Sequence, residues 1–130
     1  MNIDVGLRGE ATLVVTEADT ARAMGSGTVD VLATPRVIAL CEQATCAAVS
    51  SRLPEGHTTV GMRVQIDHLQ PTPVGATVEA EATLEKIEGR RLTFTVSASD
   101  TRGLVAAGKV TRVMVEVDRF HGKAHGTGGA

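Results

Sequence analysis

The stretch Val37-Ile38-Ala39-Leu40-Cys41-Glu42-Gln43-Ala44-Thr45-Cys46-Ala47-Ala48-Val49 decides how this chain folds. Its only polar side chains are Glu42, Gln43 and Thr45, and its only formal charge is Glu42. Just ahead of it, Thr34-Pro35 opens a helix. A Thr at the N-cap accepts from an orphan amide, and a Pro at the first helical position surrenders no backbone bond. Leu53-Pro54-Glu55-Gly56 ends the run, so the pattern predicts a helix from about Pro35 to Ser51. A helix that is apolar nearly all round is buried rather than laid on a surface. Something must wrap it.

The rest of the chain supplies the wrapping. Glu10 to Val15 alternates, with Ala11, Leu13 and Val15 on one face, and reads as a first strand. Thr16 to Thr28, ending in Gly25-Ser26-Gly27, reads as a loop with a short helical turn. Over Thr58 to Leu69, Val60, Met62, Val64 and Ile66 alternate with Gly61, Arg63, Gln65 and Asp67, which predicts that the even-numbered residues face the helix. Thr77 to Glu85 and Arg91 to Ser99 alternate in the same way, with Glu88-Gly89-Arg90 and Asp100-Thr101-Arg102-Gly103 as hairpin turns. A last strand is expected from about Leu104 to Val117, with Gly108 as a candidate bulge. Residues 1–120 read as a single domain, and the Gly-rich stretch from His121 to Ala130 as a flexible tail. The order is strand, helix, then four consecutive antiparallel strands. This predicts an α+β protein in which a long curved sheet of about five strands wraps one central buried helix. That is the hotdog arrangement, in which a partner sheet completes the cover of each helix, so a homodimer is expected.

Composition narrows the function. The chain has 130 residues, enough for one domain with a real core. Its 42% hydrophobic and 22% charged residues exclude a disordered chain. Phe94 and Phe120 are the only aromatic residues, which removes the platforms on which single-stranded nucleic acids stack. The net charge of -2 offers no bulk attraction to a polyanion, so nucleic acid is not an expected partner. Met1 to Arg8 shows no secretory signal, and no apolar run is long enough to span a membrane. Cys41 and Cys46 sit about 140° apart around one helix and should not bridge, and two free thiols suit a reducing cytoplasm. With no second Cys/His cluster at ligand spacing, no metal is expected, and His121 and His125 read as tail residues.

Glu42 is the first residue whose chemistry needs a reason. A carboxylate in an apolar helix costs several kcal/mol to desolvate unless it is paired or opens to a pocket. It is either a Glu at a subunit seam or bonded to a neighbouring backbone amide, or else a general base or nucleophile tuned by partial burial. His68 continues the even-numbered row toward the helix if no bulge intervenes, which makes it a candidate partner for Glu42. Thr34 is explained as a cap, but a helix start also presents free amides to anionic groups. Gly61 offers an unobstructed amide of the kind an oxyanion needs, or else marks a bulge or a close helix approach. Cys41 is a second nucleophile candidate, with inert packing as the alternative. Gly25-Ser26-Gly27 is too short for a phosphate-binding loop.

These residues resemble the fluoroacetyl-CoA thioesterase-like family of hotdog proteins. The similarity runs through Val5-Gly6, then Ala33-Thr34 with Glu42 eight residues after the Thr, and Gly61 and His68 seven apart. It continues in Pro73-Val74-Gly75, Glu88-Gly89-Arg90-Arg91-Leu92-Thr93, Val96-Ser97-Ala98-Ser99-Asp100 and Arg112. The resemblance implies hydrolysis of an acyl-CoA thioester, with a short or small acyl group, by Thr34, Glu42 and His68 at a dimer-interface pocket. It implies that Gly61 helps bind the carbonyl, that Arg112 is a candidate contact for the CoA part, and that no cofactor is needed. In the fluoroacetyl-specific enzyme an aromatic residue gates the pocket. Thr28 stands at the matching position here, so the resemblance supports the thioesterase chemistry more firmly than that substrate. Lys86, Arg90, Arg91 and Lys109 are candidates for CoA phosphate contacts, with solvated strand ends as the alternative. Two other readings keep the fold: an acyl-CoA hydratase or dehydratase, and a non-catalytic acyl-CoA binding module. The first commonly needs an Asp/His pair aimed at the substrate, whereas Asp67 and His68 are adjacent on a strand and should face opposite ways.

Overall fold

A computed structural model describes residues 2–126. It contains five strands, β1 (Arg8–Val14), β2 (His57–His68), β3 (Thr77–Glu88), β4 (Arg91–Asp100) and β5 (Gly103–Glu116). Three helices accompany them: α1 (Ala21–Met24), α2 (Thr34–Val49) and α3 (Val117–Ala124). Alternation builds the sheet as the sequence predicts. β3 buries Val78, Ala80, Ala82 and Leu84, and β4 buries Leu92, Phe94, Val96 and Ala98, while intervening Glu79, Glu81 and Thr95 stay exposed. All pairings are antiparallel, in the order β1-β3-β4-β5-β2. The chain thus passes from β2 at one edge to β3 near the other, and β2 pairs with β5 instead of with its neighbour in sequence.

Helix α2 lies on the inner face of this sheet, the hotdog arrangement. Val37, Leu40, Cys41, Ala44, Ala48 and Val49 are buried against the strands, with Phe94 at the centre of the same core. Emptying a core position of that size costs about 3–5 kcal/mol. β1 crosses the helix at Gly9, where a Cβ would run into the backbone of Ala44, Ala47 and Ala48. Thr45 is the buried polar residue of the helix, and its hydroxyl is satisfied by donating to the Glu42 carbonyl at 2.6 Å.

The cover of α2 is incomplete within one chain, and two expectations are corrected. Within one chain α2 is buried on one side only: Pro35, Gln43 and Ala47 are exposed, and Ile38, Ala39, Glu42 and Cys46 are half-buried. One sheet curls around only part of a helix, so an apolar stripe is left open. Gly108 is not a bulge, because it pairs regularly with Ile66 and Val96. It is a close approach instead, where a Cβ would meet the Gln65 carbonyl. The flexible tail expected from His121 does not start there, because α3 continues to Ala124 with Phe120 and Lys123 on it. The last four residues of that expected tail, 127–130, lie outside the described residues.

Candidate active site

The first functional side chain is set by a one-residue shift at the helix start. The N-cap of α2 is Ala33, not Thr34, and Pro35 lies in the first turn. Thr34 is therefore inside the helix, and its hydroxyl is released from capping. It meets His68 instead, with Thr34 Oγ1 2.8 Å from His68 Nδ1. Burial pushes the His68 imidazole below its usual value, opposed in part by the Gln70 backbone. Its Nε2 is buried with no hydrogen-bond partner among the described residues. A neutral ring with one nitrogen held and the other unpartnered is ready to take or give a proton.

Glu42 sits in a second cluster. Its Oε2 accepts from Arg112 Nη1 at 3.1 Å, and its side chain is 33% exposed. Arg112, 6% exposed, donates through Nε to Thr59 Oγ1 and through Nη2 to the Thr59 carbonyl, both at 2.9 Å. The carboxylate also lies against Gly61, where an added Cβ would come within 2.6 Å of Oε2. Oε1 has no hydrogen bond from the described residues. The guanidinium offsets the cost of placing a carboxylate on an apolar helix, and it fixes where that carboxylate points. Arg112, expected as a contact for the CoA part, is committed to Glu42 and Thr59 by its burial and its occupied donors. Thr59, which the sequence reading did not single out, is its second support; the expected even-numbered inner face put Thr59 outward, so no sequence signal pointed to it.

A register shift between Gly61 and Arg63 separates the two clusters. Before it, Thr59 and Gly61 face the helix side; after it, Ile66 and His68 do. The uniform even-numbered face expected for Val60 and Met62 fails for this reason, since a bulge adds one residue to one strand and turns the alternation over. Met62 is 47% exposed. His68 and Glu42 are not hydrogen-bonded to each other in one chain, so the convergence expected of them does not occur there. Gly61 pairs with Arg112 and His68 with Ala106, six residues away on β5, which is about 20 Å along the strand.

A cavity of about 310 Å³ lies beside the Thr34–His68 pair, lined in part by Gly27, Val29, Val31 and Leu69. Thr28, expected to line it, does not. Thr28 is exposed, and its carbonyl accepts from Arg22 Nη2 at 2.7 Å while Gly27 and Val29 on either side reach the cavity. Cys41 is buried, and burial, with the Glu42 charge second, pushes its thiol up to about 11. It is a packing residue rather than a nucleophile. Among the described residues no three His, Cys, Asp or Glu side chains gather into a metal-binding group. No described helix is long and apolar enough to cross a membrane.

Residues 15–118 match the family described as FlK: Fluoroacetyl-CoA-specific thioesterase. The chain is 33% identical over 94 residues to the fluoroacetyl-CoA thioesterase of Streptantibioticus cattleyicolor, covering 72% of this chain and 68% of that protein. The solved structure of the fluoroacetyl-CoA thioesterase FlK superimposes with a TM-score of 0.91 at 29% identity, over 97% of this chain and 98% of that one. A Thermus thermophilus protein described as a thioesterase superfamily member gives a TM-score of 0.88 at 28% identity, covering 96% and 93% of the two chains. The family model, the sequence relative and the structural matches place the chain in one family: it belongs to the fluoroacetyl-CoA-specific thioesterases, acyl-CoA thioesterases of the hotdog fold.

Proposed function

We propose that the protein hydrolyses the thioester of a short or small acyl-CoA as a homodimer, at a site shared between protomers. The observation that carries the reading is Glu42, the one carboxylate on the apolar helix, clamped by Arg112 against Gly61 with one oxygen left free. The carbonyl of the ester lies at the Gly61 amide, which stabilises the developing oxyanion. Glu42 draws the proton from the attacking water or attacks the carbonyl itself. An oxygen–carbon bond forms, the carbon–sulfur bond breaks, and the departing thiolate takes a proton delivered through His68, whose ring is held by Thr34; where Glu42 itself attacks, water then cleaves the acyl–Glu42 anhydride, releasing the acid and restoring the carboxylate. No cofactor enters this chemistry.

A second copy supplies what one chain lacks. β2 is an edge strand, exposed from Gly61 to Gln65, with Val64 36% exposed. An unpaired strand edge beside an open apolar helix stripe favours pairing with a twofold-related copy. Antiparallel pairing of β2 with its copy, centred between Val64 and Gln65, sets Gly61 opposite the partner's His68. The same twofold passes near Ile38, midway between Thr34 and Glu42 on the uncovered stripe, and so brings the Glu42 cluster toward the partner's Thr34–His68 pair. The free thiols of Cys41 and Cys46 suit a reducing compartment such as the cytoplasm.

The test is thiol release from a panel of short, branched, aromatic and fluorinated acyl-CoA esters, run beside Glu42→Gln, with size-exclusion chromatography of both proteins. The expected result is a dimer that cleaves at least one ester, with turnover reduced at least about a hundredfold in the variant. A folded dimer that releases thiol from none of them overturns the proposal and favours a binding module.

A further inference from the structure

The outer face of the sheet carries a second cavity, of about 400 Å³, between β2, β5 and α3. Its floor includes Val113 and Val115, on the opposite side of β5 from the buried Arg112. Arg90, Arg119 and Lys123 line it, and Glu116 is the one carboxylate among its lining residues. Eight of the 13 Lys and Arg side chains are held in ion pairs. Of the five cations without an ion pair among the described residues, three converge here. The balance is therefore positive in a chain whose net charge is -2. Lys86 and Lys109, candidates for phosphate contacts from the sequence, are each held by a carboxylate, Glu88 at 3.4 Å and Glu85 at 3.6 Å.

Phe120 also lines this cavity. The other aromatic residue, Phe94, is fully buried, but Phe120 is 40% exposed between Arg119 and Lys123 on α3. Three unpaired cations beside an exposed aromatic ring over an apolar floor match a ligand that carries both phosphates and a flat base. Gly61 belongs to both sites: its backbone borders the cavity, and the direction of its absent side chain leads to the Glu42 carboxylate.

We propose that this outer cavity binds the phosphorylated nucleotide end of the CoA ester, with Arg90, Arg119 and Lys123 on the phosphates and Phe120 against the adenine. The proposal rests on the thioesterase reading and adds the place where the carrier is recognised. Adenosine 3′,5′-bisphosphate, which has the nucleotide but no thioester, probes the cavity without turnover. Calorimetry should show it binding the full-length protein, at least tenfold more weakly to the folded Arg119→Ala/Lys123→Ala variant and to Arg90→Ala. In kinetics the double variant should raise KM for acetyl-CoA at least tenfold. The KM for acetyl-pantetheine, which lacks the nucleotide, should be unmoved. No binding of the bisphosphate, equal binding by the variants, or an equal rise in KM for both esters overturns the proposal. Binding that depends on these residues in a protein that cleaves neither ester instead removes the thioesterase reading and leaves the phosphate site standing.

Discussion

Gly61→Ala separates the position of the Glu42 carboxylate from its presence. The added Cβ would lie 2.6 Å from Oε2, whereas ordinary contact begins near 3.4 Å, so the carboxylate must retreat by about 0.8 Å. It cannot move freely, because Arg112 holds the same oxygen at 3.1 Å. A misplacement of about 1 Å at a reacting group costs on the order of a hundredfold in rate, or about 2.7 kcal/mol of barrier. Stability should hardly change. Gly61 is not among the positive-φ glycines, so alanine fits its backbone. The narrower unfolded ensemble contributes about 0.4–1 kcal/mol, set against the local push on Glu42. Thiol-release kinetics and thermal unfolding of the same preparation read the two effects apart. The expectation is a kcat lowered between tens and about a hundredfold, KM close to wild type, and a Tm within about 5 °C. A near wild-type kcat would refute the claim that Gly61 sets the working position of the carboxylate. A loss of rate matched by a large fall in Tm would refute it too.

Thr34→Val keeps the shape at the helix start and removes the hydroxyl that meets His68. Turnover should drop at least about tenfold with little change in unfolding, because the N-cap is Ala33; a loss of about 1 kcal/mol of stability with unchanged turnover would return Thr34 to a capping role. Cys41 yields a pH dependence of stability. Its folded thiol titrates near 11, above an unfolded Cys, so between the two values the unfolded chain has lost more protons and stability falls as pH rises. Urea denaturation between pH 8 and about pH 11 should show that fall, and Cys41→Ala should flatten it. The window is free of tyrosine, which the chain lacks. An unchanged slope in the variant would show that the thiol is not the cause.

The fold could be read because two periodicities stand side by side: a thirteen-residue apolar run that only a buried helix explains, and the period-two strands β3 and β4 that cover it. The place of β2 beyond β5 could not be read, because antiparallel alternation says which face a residue takes and not which neighbour its strand pairs with. Glu42 stood out by its charge, but its partner Arg112 lies 70 residues away on β5, and only the pairing Gly61↔Arg112 brings them together. The cap was misassigned by one residue, which helix-start signals do not resolve. That residue decided whether the Thr34 hydroxyl served the backbone or His68. The cavity beside α3 was hidden because a Gly-rich ending from His121 reads as a tail, whereas α3 runs from Val117 to Ala124 and carries Arg119, Phe120 and Lys123.

The extra residue in β2 has a consequence for chain length. Gly61 and His68 are an odd number of positions apart, and on an unbroken strand such residues look out on opposite faces. The insertion at Met62 is what allows both to look inward. Deleting one residue between them would therefore leave either the glycine or the histidine on the wrong side of the sheet, unless the bulge disappeared with it. Relatives that keep seven positions between these two residues should keep the bulge, and relatives with six or eight should have a regular strand. Counting residues from the glycine to the histidine is then enough to tell a kinked edge from a straight one.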